Sequence, residues 1–473
     1  MGFYDFVAAA GKSSIAIYAK QVGGPVGAWI VNNPKTATAT GVTVIGGYLF
    51  YYFTHQKYPA PWLDRRKLKS GLSKKQLLED ELTAEKVEKE EWDVIIIGSG
   101  GCGLTTGNLL ARSGLKVLIL EKHYVAGGCT HTWEKDGREF DTGVHYLGNS
   151  AKDLSATTGA MFDFMSDGNL KWSELDDNFD TVVLNGEDGE QDRFKFIRES
   201  KTIHDNTKAS LLEKFPEEAE NIEKFFSDLK AFKKSGLYLG LYKILPLWFL
   251  KPLIALGLHN RLFDNKAFTT TVKDYLDSIT SNKKLQCILN YCFGDYGTQP
   301  RKAPLFIGLA LIDHFRKGGV FPIGGSSKLT MDLAEPIAAR GGKILVRANV
   351  LQINEERGNV TGVTVLPTGA KSGGKPFFIP AKKVVSTASV WFTNMMIANE
   401  KLRLQIDHLT PGLGAMYIFF GMDKAVGDLP KRNWWCYNTK EYDFDKTVDE
   451  FMSLETADFL ARVQTPRFLN QSY

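Results

Sequence analysis

The chain has 473 residues, 43% hydrophobic and 24% charged, a globular composition too long for one core. A formal net charge of +4 is small for that length, and no basic motif argues for nucleic acid. The five cysteines (Cys102, Cys129, Cys287, Cys292 and Cys436) are odd in number and lack CxxC or Cys/His metal spacing. Free thiols are therefore expected, with no metal site and no disulfide scaffold.

Residues 1–68 read as a leader. Thr36 to Thr54 carries no charge and contains VTVIGGYLFYYF, close to a short membrane span. Arg65, Arg66, Lys67 and Lys69 follow it, which would place the main body on the cytoplasmic side. A membrane anchor and a loosely packed leader both fit. Residues 69–91 are rich in Lys and Glu, with Leu72, Leu77, Leu78 and Leu82 at helical spacing, and read as a charged, solvated linker helix.

Residues 92–150 open with DVIIIGSGGCGLTTGNLLARSGLKVLILEKH, from Asp93 to His123. The pattern predicts a strand over Val94–Ile97, a helix over about Leu104–Ser113 and a strand over Lys116–Leu120. Between the first two lies G-x-G-x-x-G, formed by Gly98, Gly100 and Gly103. The first glycine permits the turn, the second admits a pyrophosphate and the third lets helix and strand pack closely. Ser99 and Gly101 complete the loop, and the helix N-terminus offers free N–H groups to phosphate. Glu121, at the end of the second strand and followed by Lys122, suits a ribose and repels a 2′-phosphate. A further close backbone approach is expected at Gly127, Gly128 and Cys129. This extension favours FAD over a simple nicotinamide site. No second G-x-G-x-x-G appears in a strand–helix context, so direct electron donation by NAD(P)H stays open.

Asp136-Gly137 marks a hairpin turn. Residues 151–317 alternate helical patterns with loops and form a substrate and membrane-contact domain. Within them Gly236 to Leu258 is almost wholly apolar, interrupted by Lys243, Pro246, Lys251 and Pro252. A helix pair in the membrane surface and a buried pair of core helices both account for it. Residues 318–400 return to the cofactor domain. There Ser326 or Ser327 is expected to cap a helix ending near Gly341. KILVRANVLQINEE and NVTGVTVLP read as strands joined by a turn at Arg357–Asn359, and VVSTAS as a buried strand. Residues 401–473 supply further substrate-domain strands.

GGCTHT, FDTGVHYLG, YGTQP (Tyr296–Pro300), KGGVFPIGGSSKL (Lys317–Leu329) and PGLGAMYIFF (Pro411–Phe420) carry a more specific signal. With the glycine unit they resemble the phytoene desaturase and carotenoid isomerase-like flavoproteins, over roughly Trp92 to Glu455. The resemblance implies an α/β fold. A Rossmann-like FAD-binding domain (GR2-type, βαβ with a parallel sheet) is joined to a mixed α+β substrate domain. It is strongest to the retinol-saturating branch. That implies an FAD-dependent oxidoreductase of the endoplasmic reticulum membrane, reducing the 13,14 double bond of all-trans-retinol to all-trans-13,14-dihydroretinol. The substrate would be a lipophilic polyene met at a membrane surface. The family pattern also brings the backbone near Val350 and Ser386–Ala388 to FAD. For the proton, His145 and Tyr146 are the candidates, with His131 weaker. Carotenoid desaturation, cis–trans isomerisation and amine oxidation are competing chemistries.

One departure bears on activity. The family closes its flavin domain with a glycine-rich segment near the C-terminus, yet Asp428 to Tyr473 contains no glycine. The chain is thus expected to be truncated relative to the family. An inactive product that only binds membranes or partners is the non-enzymatic alternative.

Overall fold

The computed structural model describes residues 60–454, apart from 145, 186–190, 200–205, 246–249, 252–253, 255–265, 370–373 and 425–426. The leader stretch Thr36–Thr54 and candidate His145 lie outside the described residues.

The apolar run before the glycines forms strand β1 (Trp92–Ile97), and the second run forms β2 (Val117–Leu120). Helix α1 (Gly101–Arg112) connects them. β1 and β2 are parallel, and all their residues except Asp93 are buried. Alternate side chains enter two different cores. Val94 and Ile96 pack with Leu104, Leu333 and Ile337 on one face. Ile95 and Ile97 pack with Val363, Val365 and Ile379 on the other.

The Asp136-Gly137 turn joins β3 (Thr132–Lys135) to β4 (Arg138–Asp141), with positive φ at both turn residues (52° and 72°). That is the handedness a two-residue hairpin needs. A short strand β5 (Leu147–Gly148) then crosses toward the second half of the molecule.

That half has its own core. β6 (Trp172–Glu174) is followed by the hairpin β7 (Asn178–Asn185) and β8 (Gln191–Ile197). Helix α2 (Ala219–Ile244), helices Val272–Ile279 and Lys283–Leu289, and helix α3 (Leu305–Phe315) accompany them. Phe179, Val182, Phe194, Phe225, Leu276, Ile288 and Phe315 meet in one apolar cluster. Part of Gly236–Leu258 is taken up by α2, Leu250 is buried and Ile254 is exposed. The remainder of that stretch falls largely outside the described residues.

The chain returns through β9 (Gly319–Pro322), which pairs with both β5 and β6. Helix α4 (Ser326–Ala338) follows, then β10 (Lys343–Leu345), β11 (Ala348–Glu356), β12 (Asn359–Pro367) and β13 (Phe377–Ser386). The main sheet has the order β10-β2-β1-β13-β12-β11. β10, β2, β1 and β13 are parallel, while β13, β12 and β11 form an antiparallel meander. β14 (Asn433–Asn438) lies parallel to β7, so the last described region closes the second half.

Two expectations are corrected. Residues 69–91 are no solvated linker helix. Only Lys74–Leu78 is α-helical, opened by a Ser73–Gln76 capping box. Leu77, Leu78 and Leu82 are buried, and the backbone around Asp80–Leu82 bonds to Val346 at the end of the sheet. Leu77 and Leu78, from that one helical turn, and Leu82, from the extended segment after it, dock on the sheet, while Leu72 stays exposed. The second correction concerns α4. Its N-cap is Gly325, at φ 80°, with no side-chain cap. Ser326 instead spends its N–H (2.9 Å) and hydroxyl (2.5 Å) on the Asp141 carboxylate. Among the described residues no helix is long and apolar enough to cross a membrane.

Candidate functional site

The glycine loop sits at the carboxyl end of β1, where open α/β sheets bind ligands. Gly98 has φ +97°, and a Cβ there would meet the Thr387 hydroxyl at 2.8 Å. A Cβ on Gly103 would lie 2.0 Å from the Gly98 carbonyl oxygen, so only glycine lets α1 seat against the turn. α1 starts at Gly101 with Gly100 as its N-cap and no side-chain hydrogen bond there. Its first N–H groups are thus left for a ligand, and the helix dipole favours an anion at that point.

The second glycine turn closes on the first. A Cβ on Gly128 (φ +54°) would come 2.8 Å from Gly100 Cα. Gly127 (φ +127°) packs beneath Thr330, whose hydroxyl is 2.7 Å from that of Thr130. Ser99 ties the two turns together. Its buried hydroxyl accepts from Gly127 N–H (3.0 Å) and donates to Glu121 Oε2 (2.6 Å), to which Ser99 N–H also donates (2.9 Å). The other Glu121 oxygen accepts from His123 N–H (2.9 Å). Glu121 is therefore oriented from both sides and remains partly open to solvent.

The structure thus brings Gly98, Ser99, Gly100, Gly101, Gly103, Glu121, Gly127, Gly128 and Cys129 around one cradle. Lys122 is exposed beside it. Cys129 is an exposed thiol whose carbonyl accepts from Val144 N–H (3.2 Å). Val350 lies in β11, close behind Arg347 and Ala348, whose N–H groups bond the carbonyls of His123 and Glu121 (both 2.8 Å). Thr387, at the end of β13, donates its hydroxyl to the Ile97 (2.9 Å) and Gly98 (3.2 Å) carbonyls. VVSTAS marked that strand, but its role in fixing the turn appears only once β13 lies beside β1.

His131 Nδ1 rests against the Gly128 carbonyl at 2.5 Å, and its ring lies 4.7 Å from that of His123. Tyr146 points away from the cradle. It is buried, stacks on Phe315 (4.5 Å) and donates its hydroxyl to Asp180 (3.0 Å). No sequence pattern points to Asp180, whose partners lie far apart along the chain.

Residues 96–163 match the family model of an NAD(P)-binding Rossmann-like domain. Human all-trans-retinol 13,14-reductase is 31% identical over 392 residues, 81% of this chain and 62% of the human protein. The chain is a relative of the all-trans-retinol 13,14-reductases. It spans less than two thirds of the length of these relatives. A zebrafish inactive all-trans-retinol 13,14-reductase is 28% identical, covering 81% of this chain and 63% of that protein. A prolycopene isomerase from an Oncidium hybrid cultivar is 29% identical, covering 66% of this chain and 50% of its own. The resemblance to the carotenoid isomerase-like family therefore holds across most of the chain, and the glycine unit is a Rossmann-like dinucleotide fold.

Proposed function

We propose that this relative of the retinol 13,14-reductases binds FAD in the double-glycine cradle and saturates a carbon–carbon double bond of a lipophilic polyene. All-trans-retinol, reduced at its 13,14 bond, is the favoured substrate. The observation that carries the reading is the cradle itself. Two backbone turns meet where a Cβ on Gly98, Gly103, Gly127 or Gly128 would intrude, in front of an uncapped helix and beside an oriented carboxylate. The pattern suits a pyrophosphate flanked by a ribose. Such a chain has no need of a second phosphate pocket, because Glu121 repels one.

In this reading the loop and the α1 N-terminus hold the pyrophosphate. Glu121 accepts the ribose hydroxyls, and Ser99 keeps its carboxylate turned toward them. The bound flavin would supply hydride chemistry, with NAD(P)H a candidate source of its electrons. The protein's task is then to exclude water and to deliver a proton. His131, beside the second glycine turn, and His145 are the candidates, while the Tyr146 hydroxyl is committed to Asp180.

A lipophilic substrate needs an apolar approach. Phe392 (62% exposed), Met395 (75%), Ile418 (62%) and Phe420 (70%) are large apolar side chains left open to solvent. They support contact with a membrane surface, which we assign to the endoplasmic reticulum, with the leader as its anchor.

The test is the visible spectrum of the protein purified in mild detergent with FAD supplied. A stoichiometric flavin band is expected, followed by loss of retinol absorbance when a reductant is added. A folded protein that holds no flavin would overturn the reading. Flavin retained with retinol untouched, but prolycopene isomerised, would favour the carotenoid chemistry suggested by the isomerase relatives. Flavin without either turnover would place the chain with the inactive relative.

A further inference from the structure

Asp180 is a fully buried carboxylate held by side chains from three separate regions. Its Oδ2 accepts from Tyr146 (3.0 Å) and Tyr291 (2.7 Å), and its Oδ1 from Asn433 Nδ2 (3.1 Å). The Trp435 indole N–H faces the same carboxylate without making a hydrogen bond of ordinary geometry. The buried Cys292 thiol and Asp295 lie in the same neighbourhood. Among the described residues no lysine or arginine is paired with Asp180.

An unpaired carboxylate is a costly way to satisfy two tyrosines and an amide. A neutral side chain would spare the desolvation of a charge. What a carboxylate adds is a stronger grip, since hydrogen bonds to a charged acceptor are about twice as strong as neutral ones. Burial is the largest influence on this group and pushes its ionisation up to about 6, while the Tyr291, Asn433 and Tyr146 hydrogen bonds pull it back.

The grip leads toward the cradle. Tyr146 precedes β5 and follows Val144, whose N–H bonds the Cys129 carbonyl at 3.2 Å. A Cβ on Gly143 would stand 3.0 Å from Cys129, so this wall lies flat on the second glycine turn. Gly128 in turn touches Gly100. We propose that Asp180 is a positioning residue for the cofactor site: its carboxylate holds Tyr146, and Tyr146 holds the wall at Gly143 and Val144 against the second glycine turn. This rests on the FAD reading of the cradle. Protonating Asp180 loosens the wall, so cofactor affinity falls as pH drops through the ionisation of this group. His314 anchors the far side of the wall by accepting from Gly148 N–H (2.8 Å). Burial lowers its ionisation below the usual imidazole range, and burial pushes that of the neighbouring Asp295 up to about 6, so both must be separated from Asp180. Asp180→Asn removes only the carboxylate's part.

FAD affinity would be followed by flavin fluorescence from pH 5 to 8 for wild type, Asp180→Asn, Tyr146→Phe and Tyr291→Phe, with melting curves on the same samples. Wild type should lose about tenfold in affinity toward pH 5, the ratio between charged and neutral acceptors. Asp180→Asn and Tyr146→Phe should be weak at pH 8 and nearly flat with pH. Tyr291→Phe should stay within about twofold, because Tyr291 does not touch the wall. Asp180→Asn should melt no lower than wild type at pH 8. If it instead melts lower in step with its lost affinity, the residue is merely structural. An unchanged pH profile in Asp180→Asn would also overturn the proposal. A wild type that binds no FAD at any pH would sink the cofactor reading alone. The positioning claim is then read from 13Cζ-labelled tyrosine resonances. Those of Tyr146 and Tyr291 should move together with a midpoint near 6 and stay still in Asp180→Asn. Resonances that do not titrate in wild type would reject it.

Discussion

The cradle and the Asp180 cluster solve the same problem by opposite means. Each orients a carboxylate with hydroxyl and N–H donors. At Glu121 the donors are local: Ser99 and His123 lie in the same strand–turn unit, and glycines let backbone approach backbone. At Asp180 the donors are side chains from β14, from the turn beyond Leu289, and from the residue before β5. The first kind of site tolerates no added atom at Gly98, Gly103, Gly127 or Gly128. The second tolerates substitution but depends on charge and burial. A backbone-built site should therefore fail by steric clash, and a side-chain-built site by titration.

The largest expected effect lies where the platform itself uses a buried charge. Arg112, at the end of α1, donates to Asn108, to the carbonyls of Asp64 and Phe164, and to Asp167, with its side chain fully buried. Arg112→Met strands Asp167 and three acceptors and should cost about 4 kcal/mol in denaturant unfolding. A loss under about 1 kcal/mol would show that the platform is not held by its charged interior.

Gly103→Ala comes next. Its Cβ must displace the Gly98 carbonyl, so we expect about 2 to 3 kcal/mol of destabilisation and no detectable flavin binding. Normal binding in this variant would mean that α1 does not seat against the turn.

The third prediction belongs to Asp180. A carboxyl that ionises near 6 in the fold and near 3.8 when unfolded favours folding while protonated, and that advantage is lost as pH rises through 6. Between pH 5 and 8 the wild type should therefore lose about 1.5 kcal/mol of stability relative to Asp180→Asn, as read from paired urea titrations. Parallel pH curves for the two proteins would remove Asp180 from the titrating groups.

Glu121→Gln should be the mildest change. One amide oxygen still accepts from the Ser99 pair, so stability should shift by less than about 1 kcal/mol. Flavin affinity should weaken by about tenfold through loss of the charged ribose acceptor. An equal loss in both quantities would mean that Glu121 serves the fold rather than the ligand.

The same contrast decides what could be read from the chain alone. Trp92 to Gly128 declared strands, helix and glycine roles, because each is set by neighbours within a few residues. The hairpin at Asp136-Gly137 and the Arg357 turn were legible for the same reason. Ser326 was misread as a cap because its true partner, Asp141, lies far away in sequence. Helical spacing of the leucines in residues 69–91 does not tell one long solvated helix from a single helical turn followed by an extended segment docked on the sheet. Asp180 was invisible, since nothing in NFDTVVLN reports two tyrosines more than thirty residues away in opposite directions.

The order of the strands also sets a timetable for synthesis. β1 takes its parallel neighbour β13 from about 290 residues further on, at Trp92↔Ala381. At translation speeds of about 5 to 20 residues per second, the first strand waits roughly 15 to 60 s for that partner. During the wait β2 can cover one side of β1, but its other edge and the apolar faces of both strands stay open to foreign strands. The molecule should thus lean on chaperones in the middle of its synthesis. A ribosome stalled before Phe377 would release a nascent chain whose first strand still lacks its β13 neighbour.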